Sequence, residues 1–273
     1  MEKSLTLRSF LGGTALLVTL TSAGVWKRND GRRHAKAKEV PASGVVLNSI
    51  KTHFEGALIQ QSLVRKVRDA FSKRHEVRKT LVASTVDSPS LERAFAKLYG
   101  GGPYRLGGLA GFPFGGKTAY STMVSHLPDD GVALIVFCPS MNLDSEGVVS
   151  AESAVQTALE HVLAVHNGIE KPLPPPTVDS LDAPYELMEH LLLPYAARLA
   201  KAGNVTTELS HVLYEIQKEL ITDIVTTDDT GAPAMVLGGI DIRTPAGVSD
   251  YFMPLSLEVY NGTGEKFFEG VSL

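Results

Sequence analysis

The 273-residue chain is 44% hydrophobic and 21% charged, an ordinary globular mixture with enough length to bury a sizeable core. Its one cysteine, Cys138, excludes an intrachain disulfide framework and any zinc site that draws two thiolates from one chain. Eight of the 26 basic residues precede position 39, against two of the 30 acidic ones, so the remainder carries a net charge of −10; no nucleic-acid partner is expected, because phosphate contacts need Lys and Arg.

Residues 1–40 read as a separate segment. Ser9 to Trp26 carries no charge, and Lys27, Arg28, Arg32, Arg33, Lys36 and Lys38 follow it. Three readings stay open: a short anchor touching a membrane, an organelle-targeting segment, or a secretory signal. The basic run favours the first two, so a membrane-anchored or organellar protein is expected. Residues 41–273 form the folded domain.

Leu47, Ile50, Phe54, Leu58, Leu63, Val67 and Phe71 recur at steps that suit one long amphipathic helix. "KTLVAST" (79–85) reads as a strand, and "SLERAFAKLYGGG" (90–102) as a helix closed by Gly100. "AYSTMVSH" is a short helix that breaks before Pro128. "VALIVFC" (132–138) is a continuous apolar run, expected of a strand buried on both faces. Residues 150–166 read as a helix, 171–184 as a Pro-rich loop, and 185–225 as two helical runs. "PAMVLGGIDIRTP" and "YFMPLSLEVYNGTG" end the chain as strands. Helices alternating with apolar strands predict an α/β domain.

"GFPFGGKT" (111–118) fits the phosphate-cradling G-x-x-x-x-G-K-[ST] pattern. That loop needs a hydrophobic strand running directly into the glycines, and "YGGGPYRLGGLA" does not supply one. Pro113 has no N–H to offer, and Phe112 and Phe114 crowd the loop. A Phe-Pro-Phe wedge that packs a glycine-rich loop under the sheet is the better reading. Asn204-Val-Thr and Asn261-Gly-Thr fit the glycosylation sequon, a pattern common by chance.

Three stretches carry a resemblance: "LGGLAGFPFGGKTAYSTMVSHLPDDGVALIVFCPSMNLDSEG" (106–147), "LLLPYAARLAKAGNVTTELSHVLYEIQKELITDIV" (191–225) and "LGGIDIRTPAGVSDYFMPLSLEV" (237–259). In this order they resemble the limiting-CO2-inducible protein B/C family, whose domain is similar to β-type carbonic anhydrases and whose active members are called θ-type. The resemblance covers most of residues 78–260. It implies an α/β fold with a β-carbonic-anhydrase-like central mixed or parallel sheet flanked by helices. It also implies zinc held by two cysteines and one histidine, with a bound water activated to attack CO2. Dimeric assembly, with itself or with a paralogue, CO2 or bicarbonate as ligand, and a chloroplast setting for an algal member are implied as well.

Carried over residue by residue, His126 in "SHLPDD" matches the histidine ligand, and Asp87 in "STVDSPSLER" matches the first cysteine. Arg93 matches a family arginine that would pair a carboxylate, and Asp129 or Asp130 would orient the histidine. The second cysteine falls near Ser150, Ser153 and Ala154; Cys138 fits neither thiolate position and reads as a small buried residue. Both thiolates are thus missing, and the zinc is expected to be lost. The expectation is a carbonic-anhydrase-like protein with a degenerate site and a structural or regulatory role in inorganic-carbon handling. Two alternatives stand beside it. One is an active hydratase with a metal rebuilt on His126 and Asp87, helped by Glu152, Glu160 or His161. The other is a bicarbonate-binding module whose glycine-loop N–H groups hold a small anion.

Overall fold

The computed structural model describes residues 43–72, 79–86, 88–99, 103–174 and 182–270. The N-terminal segment and Asp87 lie outside the described residues. Among those described, no helix is long and apolar enough to cross a membrane.

The apolar run read as one helix over 47–71 is two. Helix α1 spans Gly44–His53, with the Ser43 hydroxyl accepting from the Val46 N–H. Gly56 then takes φ +84°, the two-residue strand β1 (Leu58–Ile59) follows, and α2 runs Gln60–Ser72. The periodicity bridges the break because both helices bury apolar faces: Val46, Ile50 and Phe54 in one cluster, Leu63, Val64 and Val67 in another.

Strand β2 (Thr80–Ser84) leads to α3 (Pro89–Tyr99), which opens on proline, the residue suited to a first helical position. Strand β3 (Tyr104–Arg105), a glycine-rich loop and α4 (Gly116–Val124) precede β4 (Val132–Phe137). Strands β5 (Ser140–Leu143) and β6 (Val149–Ala151) follow; β6 takes the first residues of the stretch read as helix, so α5 is Ser153–His166. Helix α6 (Ala183–Leu192) ends in a 3-10 turn at Pro194 before α7 (Ala196–Ala200). Helix α8 (Val205–Thr226) and strands β7 (Ala234–Arg243), β8 (Tyr251–Tyr260) and β9 (Lys266–Gly270) complete the chain. Both sequon asparagines use Oδ1 to bond the backbone. Asn204 Oδ1 caps α8 through the Thr207 N–H at 3.0 Å, and Asn261 Oδ1 accepts from the Thr263 and Glu265 N–H groups.

The nine described strands form one mixed sheet of order β1-β8-β7-β4-β2-β3, with β9 on β8 and the β5–β6 pair on β7. Strands β3, β2, β4, β7 and β5 are parallel to their neighbours in that set, and β8 is antiparallel to β7. Every residue of β4 is buried, as expected for a central parallel strand. Helices α2 and α3 pack with one hydrophobic cluster, and α4 and α8 contribute to another. The fold is the α/β arrangement that the sequence implied.

The "FPF" wedge behaves as packing. Phe112 is fully buried and stacks on Phe114 at 5.7 Å, while Lys117 is exposed. The strand preceding the loop is two residues long.

Candidate functional site: the carboxyl ends of the parallel strands

Parallel sheets offer their crevices at the carboxyl ends of the strands. Here β4 ends at Phe137 and β5 resumes on the same side of β7 at Ser140. In the gap, the Asp241 N–H donates to the Pro139 carbonyl at 2.9 Å. The β7–β8 register shifts between Gly238 and Gly239. Added Cβ atoms there would meet the Phe137 ring at 2.2 Å and the Met253 carbonyl at 2.3 Å, so only glycine fits.

A polar network lies at this break. Asp241 is fully buried; its Oδ1 accepts from Gln60 Nε2 at 2.6 Å and its Oδ2 from Ser140 Oγ at 3.4 Å. Arg243, two residues on and so on the same face of β7, donates from Nη1 to Glu152 Oε1 at 3.0 Å and from Nη2 to Ser140 Oγ at 3.2 Å. Its Nε lies 3.7 Å from Asp241 Oδ2. Burial outweighs Arg243 and the Gln60 and Ser88 hydrogen bonds, and lifts the Asp241 carboxyl to about 6. Beside it, Ser90 Oγ donates to Asp250 Oδ2 at 2.7 Å, and Asp250 Oδ1 accepts from the Thr244 N–H.

A cavity of about 260 Å³ opens next to this network, lined by Ser84, Thr85, Arg105, Gly107, Ala110 and Glu152 among others. Thr85 is 2% exposed, and its hydroxyl finds no hydrogen-bond partner among the described residues. Glu152 stands at the start of α5, yet its side chain does not cap the helix and turns to Arg243 instead. Arg105, 64% exposed, is bound to Glu92 at 2.9 Å. The cavity's lip is strained: Ala110 holds φ 55°, fixed by Gln217 Nε2 donating to its carbonyl at 2.7 Å. Gly107 approaches Thr85 so closely that a Cβ would lie 2.4 Å from the Thr85 carbonyl.

The residues singled out from the sequence are not brought together here. His126 follows α4 on the exposed surface; its Nδ1 donates to the Thr122 carbonyl at 2.7 Å, and its ring lies 6.0 Å from Tyr104. Asp129 and Asp130 are exposed in the turn before β4, where Asp130 has φ 57° and lies 3.8 Å from Lys79. Lys79 precedes β2, whereas Val86 and Ser88, the chain neighbours of Asp87, follow it. The parallel register of β2 and β4 therefore separates Asp129 and Asp130 from that segment by the length of a strand, roughly 20 Å. Asp87 itself is outside the described residues. Arg93 is exposed on α3. Of the supplementary ligands, Glu160 is exposed and accepts from Gln156. His161 sits between Glu170 (3.0 Å) and Glu189 (2.7 Å), roughly 13 Å along α5 from Glu152. Only Glu152 lines the cavity.

These residues do not fit the two-cysteine, one-histidine zinc set that the resemblance implies. The one thiol, Cys138, is fully buried, and its pKa is pushed well above the ordinary value by burial and then by Asp241. Among the described residues, no three His, Cys, Asp or Glu side chains are grouped to hold a metal ion. The network residues that sequence reasoning passed over had a signal. In "GGIDIR", an Asp and an Arg alternate with isoleucines inside an apolar strand, and a charge there must be paired.

Comparison with known proteins agrees with the fold. Residues 57–261 match the family of limiting CO2-inducible proteins B/C beta carbonic anhydrases. The crystal structure of a mutant of PtLCIB4, a homolog of the limiting CO2-inducible protein LCIB, superposes with a TM-score of 0.76 at 28% identity, over 84% of this chain and 100% of that one. PtLCIB4 itself gives 0.73 at 28% identity, over 81% and 98%. LCIB gives 0.64 at 18% identity, over 81% and 96%, a likeness of fold. Among curated protein sequences no match was found. The chain belongs to the limiting CO2-inducible protein B/C family of β-carbonic-anhydrase-like proteins.

Proposed function

We propose that this chain is a carbonic-anhydrase-like protein with a degenerate zinc site, serving a structural or regulatory role in inorganic-carbon handling. The observation that carries this reading is the strand-end network: where a metal hydratase needs an open cation with a bound water, Arg243 is tied to Glu152 and Ser140. The single, buried Cys138 supports it, because a thiol held protonated is a poor metal ligand.

The cavity supports a ligand-binding role. A volume of about 260 Å³ suits an anion of a few atoms, and the buried Thr85 hydroxyl can both donate and accept. Bicarbonate matches both capacities, since it carries one O–H and two charged oxygens. Arg105 at the opening supplies a cation for the approach. The protein works as a homodimer or with a paralogue.

Stopped-flow CO2 hydration tests the reading. The full-length chain, with and without added zinc, is expected to leave the rate at the buffer's own value. A zinc-dependent acceleration abolished by a chelator would contradict it.

A further inference from the structure

We infer that Arg243 is the resident cation of the strand-end site: its guanidinium fills the position between Asp241, Ser140 and Glu152 that a divalent metal would otherwise take, and it holds Glu152 on the cavity wall. The distances are 3.0 Å to Glu152, 3.2 Å to Ser140 and 3.7 Å to Asp241. Three elements thus meet on one side chain: β5 through Ser140, the start of α5 through Glu152, and β7 itself.

Two carboxylates drawn to one guanidinium in a partly dry crevice need its positive charge beside them. Asp241 is fully buried and Glu152 is 25% exposed, so bulk solvent screens them only in part. A planar guanidinium supplies that charge together with several donors in fixed directions. It also explains the Glu152 side chain, which forgoes the N–H groups at the start of α5 and reaches across to β7. With the guanidinium gone, two carboxylates and a hydroxyl would face a common centre, an oxygen-donor set suited to a divalent ion.

The inference deepens the proposed function and rests on its reading that the wild-type chain needs no metal. Thermal unfolding of the full-length protein, in metal-free buffer and with excess Zn2+, compares wild type, Arg243→Lys and Arg243→Met. The wild-type midpoint is expected to be indifferent to zinc. Arg243→Lys keeps the charge and should also be indifferent. Arg243→Met should unfold at lower temperature without metal and regain about 5 °C with zinc, as a ligand of the native state does. Should Arg243→Met fail to fold, adding Glu152→Gln and Asp241→Asn removes the stranded charges, and folding should return without metal. Equal zinc shifts in all three proteins would overturn the inference, as would the absence of any shift in a folded Arg243→Met. Failure of the triple variant to fold would do the same. A zinc-dependent hydratase activity of the wild type would overturn the proposed function instead, and leaves the Arg243→Met comparison to be read separately.

Discussion

The two ends of the central strands treat charge in opposite ways. At the amino end of β4, Asp129, Asp130 and His126 stand in water, with one loose ion pair to Lys79. At the carboxyl end of the sheet, Asp241, Arg243, Glu152, Ser140 and Gln60 are knitted into one network beside a cavity. Charged residues in the exposed turn keep their hydration and cost nothing to maintain; those at the strand ends have exchanged water for one another and must hold a fixed geometry. The proposed function draws on the second end, where the groups are held in fixed geometry beside a cavity.

The comparison can be broken most forcefully at the loop over the cavity. Gly111 has φ +78°, and an added Cβ would lie 2.4 Å from the Cys138 carbonyl. Gly111→Ala should cost about 3 kcal/mol in urea unfolding, from left-handed backbone and overpacking together. A change under 0.5 kcal/mol would show that the carboxyl end is looser than described.

Protonation of Asp241 gives the next largest effect. Its carboxyl is raised in the folded state to about 6 from 3.8, so its charged form opposes folding at neutral pH. The penalty is present in full above pH 6 and is relieved as pH falls towards 4, because the folded protein takes the proton first. Wild type should therefore gain roughly 2–3 kcal/mol on Asp241→Asn between pH 7 and pH 4. Parallel pH profiles of the two proteins would refute the assignment.

Thr85→Val separates binding from stability. It removes a buried hydroxyl with no hydrogen-bond partner among the described residues, so the protein should become about 1 kcal/mol more stable. Bicarbonate binding by calorimetry should weaken at the same time, and binding that survives unchanged would place the anion elsewhere. The smallest effect is expected at His126→Ala. An exposed ring whose hydrogen bonds reach only its neighbours Thr122 and Ser125 among the described residues should change stability by under about 0.5 kcal/mol and leave bicarbonate binding intact.

Much of the fold could be read from the chain. The run 132–138 is a buried parallel strand, and the Phe-Pro-Phe segment packs as a wedge rather than cradling phosphate. The break at Gly56 was hidden because α1 and α2 both place apolar residues at helical steps. Strand β5 was hidden too, because it continues the line of β4 after Cys138 and Pro139 with only four residues. The site was less legible. The resemblance singled out His126, Asp129 and Asp130 in "SHLPDD", but which end of a parallel sheet a loop occupies depends on strand direction and register, and a matched motif is silent on both. Arg243 and Asp241 could have been found by asking what pairs two opposite charges in an isoleucine strand; their partners Gln60, Ser140 and Glu152 come from segments 91 to 181 residues away and required the fold.

The central claim is that this carbonic-anhydrase-like scaffold no longer relies on zinc. It is tested most directly by the zinc content of the purified full-length chain after dialysis against metal-free buffer. The account predicts far less than one zinc per chain; retention of one zinc per chain would contradict it.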